Sequence, residues 1–350
     1  PMAQALPHGP SCTARWHQTL IMPQSGRAPS RCPLSSGLVR SPPVACTLGG
    51  VASIALVLGL LAAFGTGDFW GRPKKSSYCE GVDRESWLRQ RANSWSNLAY
   101  VAAGSWALGR TAESGLQVHS ATAKQGPPPA QLPCLLGGLI GVSSISLGLG
   151  SFLFHASLIR IWQQADVGTM YWTMNAALAA TCWRWLQVCM PGRALRSCWL
   201  LAALVGPVAV ADALMFVYKW NLSATKIFST QLGVVVVSEF LLVCRLAKPL
   251  RRRHALWGAF AFATGLLGYA FRQLGVHYNK RGGSGDFCRA QGFFQPHAVW
   301  HVLTGLALLG LHALQLGPLL AAGARGEDGT PVEELPAEQP EAAETGGGGA

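Results

Sequence analysis

Charged residues are scarce in this chain of 350 residues: they make up 13% of it, whereas 50% of the residues are hydrophobic. Soluble domains carry about a quarter charged residues, so this deficit indicates a membrane protein. Acidic residues are especially few, and none precedes Asp68. Basic loops that flank membrane spans account for the net charge of +12. Because no basic patch is interleaved with aromatic residues, no nucleic-acid partner is expected.

Long apolar segments predict an all-α membrane protein. Seven of them follow the polar stretch 67–92, and each is near the roughly 20 residues that a bilayer core demands. Backbone groups in lipid must be satisfied internally, so we expect helices rather than strands. The predicted segments are 94–112, 132–156, 166–189, 197–218, 226–247, 254–275 and 297–321. The predicted fold is therefore a seven-transmembrane helix bundle.

One extra hydrophobic segment, residues 44–66, precedes this bundle and could be a signal anchor, a cleaved signal or a stable helix. Residues 1–43 contain no acidic residue and are rich in Pro, Ser and Arg, which is typical of targeting or disordered segments. We expect the seven-helix domain to span 67–321, and the acidic, Gly-rich tail 322–350 to be disordered. The basic loop 245–253 predicts the cytosolic side.

Two histidines, His297 and His301, stand four residues apart at the start of the last apolar segment. On a helix, residues with this spacing share one face. Pro296, just before them, suits the first turn of a helix. Ionisable groups inside a membrane span are costly, so the pair is a candidate functional site.

Three further polar residues are predicted to lie on the same side of the membrane as the histidine pair. Ser151 and His155 lie four apart at the end of the second core segment, and Asp166 opens the third. If the helices alternate in direction, these two ends and the start of the seventh helix reach the same side of the membrane. Topology alone therefore brings the three residues to the depth of the histidine pair.

Three imidazoles and a nearby carboxylate match a catalytic zinc site, in which three protein ligands leave a fourth position for water. Asp166 could handle protons, and Ser151 could donate a hydrogen bond to a developing oxyanion. A haem held by two histidines is an alternative, but it would not need the serine or the aspartate. A lone membrane histidine more often packs and hydrogen-bonds, so the prediction depends on the whole set.

Other polar residues within the apolar segments receive structural interpretations. We expect the Arg184 side chain to extend toward the membrane surface. Asp212 and Glu239 are expected to line a polar cavity or to pair with neighbours. His312 has no partner at a suggestive spacing, and a loop or interfacial role is expected for it.

Together these residues resemble the alkaline ceramidase family, within the superfamily of seven-helix membrane hydrolases that includes the adiponectin-receptor-like proteins. The likeness spans about residues 77–315. The matching motifs are Ser151-x3-His155, Asp166, FQPHAVWHVLTG with the histidine pair, YCE at 78–80 and NSWSNLAYV at 93–101. The resemblance implies a zinc-dependent amidase that cleaves the N-acyl bond of ceramide to a sphingoid base and a fatty acid.

The resemblance also implies the role of each site residue. His155, His297 and His301 bind zinc, Asp166 handles protons, and Ser151 stabilises the oxyanion. The expected substrate is a ceramide-like lipid in the bilayer, and the expected location is an endomembrane such as the ER or Golgi. A non-enzymatic receptor or scaffold with a structural zinc site is one alternative. A lipid esterase or phospholipase of the same superfamily is the other, and the oligomeric state is left open.

One stretch departs from the family. Animal members hold a calcium ion with an Asp-Trp-Cys-Glu-x-Asn stretch and a later Glu. The corresponding positions here include Ser77, Tyr78, Glu80, Val82 and Gln90. Calcium prefers six or more oxygen ligands with several charges. We therefore expect no tight calcium site.

The ten cysteines form no CxxC pair and show no zinc-finger spacing. Most lie in apolar runs, where a small buried hydrophobic residue is the ordinary role. Cys79 and Cys288 lie instead in polar segments on the same predicted side. The family has a disulfide-bonded cysteine at the position of Cys79, and the resemblance implies that Cys288 could be its partner, which an oxidising lumen allows.

Overall fold

The computed structural model describes residues 42–74, 78–122, 131–190, 198–246, 248–280, 288–292 and 294–323. The predicted targeting segment 1–43 and the predicted tail 322–350 lie almost wholly outside the described residues, as does Ser77. Within the described residues the regular secondary structure is helical, apart from one isolated antiparallel bridge between Thr66 and Ser86. The prediction of an all-α fold is confirmed.

Each predicted apolar segment overlaps one long helix. The short helix α2 precedes α3, and Asn97 separates the two. The helices are α1 (Pro42–Phe64), α2 (Arg91–Ser96), α3 (Leu98–Thr122), α4 (Gln131–Ser157), α5 (Arg160–Cys189), α6 (Cys198–Val217), α7 (Ala224–Arg245), α8 (Lys248–Lys280) and α9 (Pro296–Gly323). The last helix begins at Pro296, where a fixed φ and a missing N–H are best tolerated.

Four helices are long and apolar enough to cross a bilayer. These stretches are Pro43–Phe64, Cys134–Ser157, Ala224–Arg245 and Pro296–Gly317. They indicate a membrane protein, whereas the count of seven spans stays a prediction. Helices α5 and α8 are as long, but they carry polar residues such as Gln163 and Arg251 within their length.

The extra N-terminal helix packs on the bundle. Helix α1 contacts α3, and its Leu58 is buried in a cluster with Trp87 and Phe152. Apolar contact of this kind holds α1 against both α4 and the segment that precedes α2.

A close contact between α9 and α3 sets the position of the candidate site. At Gly305 an added Cβ would lie 2.6 Å from the Cβ of Ala99, so only glycine allows this approach. His301 lies one turn before Gly305, and Ser96 lies just before Ala99 in the chain. The same approach therefore brings the first turns of α9 against α2.

Arg184 does not extend to the membrane surface, so that prediction is wrong. Its side chain is buried and forms an ion pair with Glu239 of α7. A buried opposite charge at the same depth removes the need to reach water. Of the two roles expected for Glu239, lining a polar cavity or pairing with a neighbour, the structure shows the second.

Two other polar residues in the helices also have partners. Asp212 accepts a hydrogen bond of 2.6 Å from the Asn175 amide. His312 is fully buried in α9, and its Nε2 lies 2.9 Å from the Ser144 hydroxyl. The expected loop or interfacial role of His312 is wrong, because a serine of α4 supplies a hydrogen-bond partner inside the bundle.

The disulfide between Cys79 and Cys288 is present, as the resemblance implied. Beside it, the Gly81 amide donates a hydrogen bond of 2.8 Å to the Ala290 carbonyl. These contacts fasten the polar segment before α2 to the segment that leads into α9.

Candidate metal centre

Three histidines from two helices converge at one end of the bundle. His155 lies in the last turn of α4, and His297 and His301 lie in the first two turns of α9. All three are buried, and their ligand atoms lie within 4.8 Å of one another. The ring of His155 lies 5.1 Å from each of the other two, centroid to centroid. This group could hold a metal ion.

A buried glutamine orients the His155 ring. The Gln90 side-chain Nε2 donates to the Glu80 carbonyl at 3.1 Å, which fixes its Oε1 on the opposite side. That Oε1 lies 2.8 Å from Nδ1 of His155. Because an amide oxygen only accepts, Nδ1 carries the proton. The lone pair of His155 is then on Nε2, the nitrogen left for a metal.

The His301 ring is held in the same way by α2. Its Nδ1 lies 3.2 Å from the Asn93 carbonyl and 2.9 Å from the Ser96 hydroxyl. A backbone carbonyl can only accept, so His301 donates from Nδ1 and keeps its lone pair on Nε2. Metal-binding histidines ordinarily engage their outer nitrogen in this manner. The residues therefore fit a divalent ion that prefers imidazole.

Tyr78 covers the third histidine. Its ring stacks on His297 with centroids 3.9 Å apart. Burial and the nearby Asp166 carboxylate raise the pKa of the Tyr78 hydroxyl above its ordinary value, so the phenol stays protonated. Tyr78 also lines an open pocket of about 400 Å³, together with Pro73, Lys74, Glu80, Val82 and Arg84. The pocket consequently lies next to the histidines.

The serine and the aspartate lie beside this group. Ser151 is one turn before His155 on α4, and its hydroxyl lies beside the Asp166 carboxylate of α5. Asp166 is half-buried and interacts electrostatically with the Tyr78 hydroxyl and with the Lys219 ammonium. The structure thus places the hydroxyl and the carboxylate in contact at the edge of the histidine group.

Glu80, in the stretch that departs from the family, has a structural partner. Its two carboxylate oxygens accept the amide hydrogens of Ala92 and Asn93 at 2.7 and 2.8 Å. A carboxylate here satisfies the free amides at the start of α2. Burial raises the pKa of Glu80, and the two amide hydrogen bonds oppose that shift. The carboxylate therefore holds the helix that contacts His301.

Sequence reasoning missed the residues that orient the histidines. Ser96 and Tyr78 lie within the quoted motifs NSWSNLAYV and YCE, which were a usable signal. In the sequence, Gln90 is notable only for standing where the family has a calcium-binding Glu. Its contact with His155 joins residues 65 positions apart, and no local pattern reports such a contact.

Comparison with known families gives one match: the sequence profile described as Ceramidase matches residues 90–328. That range contains the three histidines together with Ser151 and Asp166. Comparison with curated proteins gives no match.

Proposed function

The chain belongs to the ceramidase family, whose activity is the hydrolysis of ceramide, and on that premise we propose that it is a zinc-dependent hydrolase of the N-acyl amide bond. The products would be a sphingoid base and a fatty acid. The observation that carries the proposal is the buried group of His155, His297 and His301. Two of these rings have their outer nitrogen engaged by the surrounding chain.

Zinc is the metal that we assign to this group, because three neutral imidazoles with an additional open position are its usual catalytic ligands. A zinc ion bound there supplies Lewis-acid chemistry, since it acidifies water and polarises a carbonyl group. The protein contributes the orientation of the rings through Gln90, Asn93 and Ser96.

Asp166 is the proton carrier in this proposal. Its carboxylate accepts a proton from the water whose oxygen attacks the amide carbon, and it returns that proton to the nitrogen as the C–N bond breaks. Ser151 donates a hydrogen bond to the carbonyl oxygen as negative charge develops on it. The Ser151 hydroxyl lies beside the Asp166 carboxylate, so both groups would be next to the substrate amide when it binds.

The bilayer supplies the substrate. We propose that residues 67–321 form the hydrolase domain and that its seven long helices all cross an endomembrane. Four of the long helices in the described part of the chain, α1 among them, are apolar enough to do so by composition alone. The histidines lie at helix ends rather than mid-helix, so water and a lipid amide can meet at the membrane boundary.

A comparison of two buried histidines of α9 tests the proposal. The full-length protein and its His301→Ala and His312→Gln variants are purified in neutral detergent. Zinc is measured by inductively coupled plasma mass spectrometry, and fatty acid release from ceramide and from phosphatidylcholine is measured by liquid chromatography and mass spectrometry. We expect His301→Ala to lose both zinc and ceramide hydrolysis, because it removes a ligand. His312→Gln keeps both.

Full zinc and full hydrolysis in His301→Ala would refute the assignment of the ligand group. Zinc without any release of fatty acid from wild-type protein would indicate a receptor or scaffold. Faster release from phosphatidylcholine than from ceramide would indicate an esterase instead.

A further inference from the structure

Three cations surround one exposed tryptophan outside the histidine group. The ammonium of Lys219 lies 3.3 Å from the centroid of the Trp220 ring, the Arg160 guanidinium 4.4 Å and the Lys74 ammonium 4.7 Å. They come from three different segments: the stretch before α2, the first residue of α5 and the turn between α6 and α7. Since all three lie within 4.7 Å of one ring centroid, like charges are close together here, and the ring face offsets only part of their repulsion.

Neither ion pairs nor helix dipoles explain the cluster. In the described part of the chain, no carboxylate forms a salt bridge with any of the three cations. Lys219 follows the C-terminus of α6, where a positive charge is favourable, but Arg160 occupies the N-terminus of α5, where it is not. The first turn of α5 contains no acidic residue, and no side chain caps it. The amides there are favourable to an anion.

Lys219 is the most buried of the three cations. The residue is only 7% exposed, and its ammonium lies against the face of the Trp220 ring. Burial and the charge of Lys74 lower the pKa of Lys219 to about 8. The Asp166 carboxylate opposes this shift but does not cancel it, so an anion bound at the ammonium would be favourable.

The surroundings of the cluster are those of a site that binds a lipid headgroup. The apolar stretch Val205–Val217 ends just before Lys219, which places the cations at the boundary of the bilayer. Exposed apolar side chains continue from the cluster, among them Ile161, Leu214 and Val217. Tryptophan is itself enriched at this boundary. A ligand here would meet cations at one end and an apolar surface at the other.

We propose that Lys74, Arg160 and Lys219, assembled on Trp220, bind the phosphate of an anionic phospholipid. The phosphate accepts hydrogen bonds from the three cations, and the acyl chains lie along the exposed face of α6. Lysine and arginine are the side chains that phosphate recognition ordinarily uses. Lys74 also lines the pocket beside Tyr78, so the bound lipid would lie at the edge of that pocket.

The experiment measures binding, so its failure would leave the proposed hydrolase activity untouched. Full-length protein in neutral detergent is titrated with dioctanoyl phosphatidic acid, and the complex is quantified by native mass spectrometry. Dioctanoylglycerol, which has the same chains and no phosphate, is the lipid control. Arg160→Gln is compared with Arg252→Gln, because both arginines are exposed near the start of a helix. Loss of one charge-assisted contact should weaken binding about tenfold or more in Arg160→Gln alone.

Three results would overturn the proposal. Equal affinity in wild type and in an Arg160→Gln/Lys74→Gln double variant would show that the cluster does not bind the lipid. An equal loss in Arg252→Gln would indicate a diffuse effect of net charge. Full displacement of the lipid by an equal concentration of inorganic phosphate would identify a free-anion site rather than a phospholipid site.

Discussion

Two buried polar regions of the bundle differ in how their polar groups are paired. Between α5, α7 and α9, the Arg184–Glu239 ion pair is completed by Thr181 and Gln315, which donate to Glu239 at 2.7 and 3.2 Å. Charges and dipoles there meet partners of opposite sign. At the end of α4 and the start of α9, three histidines lie close together. Each neutral ring has an acceptor nitrogen, so this region brings like acceptors together instead of opposite charges.

This difference distinguishes a structural hydrogen-bond network from a candidate metal site. In the ion-pair network, the Glu239 oxygens accept from Arg184, Thr181 and Gln315. In the histidine group, the Gln90 side chain and the Asn93 carbonyl accept hydrogen bonds from Nδ1 of His155 and His301, so the other nitrogens of these two rings could bind a metal ion. A membrane protein can therefore bury polar residues for stability in one region and for chemistry in another. The following variants should separate the two.

Replacement of Asp166 by Asn should have the largest effect. Asn keeps the size of the side chain but cannot accept the proton, so turnover of ceramide should fall between about 10²- and 10⁴-fold. Zinc content should stay at the wild-type level, because Asp166 is not one of the three ligands. Fatty acid release and metal analysis measure the two quantities.

Asp212→Asn is the matched control, since Asp212 lies in α6, outside both polar regions, with Asn175 as its partner. It should leave turnover unchanged. Turnover of Asp166→Asn within about threefold of wild type would contradict the proton-transfer role of Asp166.

Replacement of Glu239 by Gln should break the ion-pair network. The variant leaves the Arg184 charge buried without its carboxylate, so the free energy of unfolding should fall by about 3–5 kcal/mol. Folded protein should still bind zinc. Thermal unfolding in detergent and metal analysis provide the measurements.

The Arg184→Met/Glu239→Leu double variant should recover most of that stability, because it removes both charges together. Loss of zinc from the folded Glu239→Gln protein would show that the two polar regions are coupled, contrary to the distinction drawn between them.

Two buried glutamines allow a finer comparison. Gln90→Ala removes the acceptor of His155 Nδ1, so zinc affinity should fall about 10- to 100-fold. Gln90→Glu keeps an acceptor and should retain wild-type affinity to within a few fold. Gln315→Ala, in the ion-pair network, should lower the melting temperature and leave zinc affinity unchanged. Competition with a chromogenic chelator measures zinc affinity. Equal zinc affinities in the Gln90→Ala and Gln315→Ala variants would contradict the orienting role of Gln90.

Local patterns in the sequence predicted much of this arrangement. Hydropathy predicted where each long helix lies, and the i,i+4 spacing of His297 and His301 placed both on one face. Alternation of helix direction predicted that His155 meets them. The Arg184–Glu239 pair and the Gln90–His155 contact escaped prediction, because each joins residues more than 50 positions apart. Helix α5 carries Gln163 and Asp166 where a simple span would be apolar, because polar residues of the candidate site interrupt its hydropathy.

Calcium should have the smallest effect. The Glu80 carboxylate is engaged by the amides of Ala92 and Asn93, and Gln90 presents a neutral amide where the family has a carboxylate. Too few charged oxygens remain for a tight site. With a dissociation constant of about 1 mM or weaker, 1 mM calcium would add no more than about 0.4 kcal/mol of stability.

A melting-temperature comparison of wild-type protein with 1 mM calcium and with 1 mM magnesium tests this expectation. The two values should agree to within about 2 °C. A calcium-specific rise well beyond that would mean that other oxygens complete a site around Glu80. The carboxylate would then have to leave the amides of α2 to reach the ion, and the hold of α2 on His301 would weaken. Zinc affinity measured with and without calcium would then differ, whereas it should be the same if the Glu80 carboxylate stays on the amides of α2.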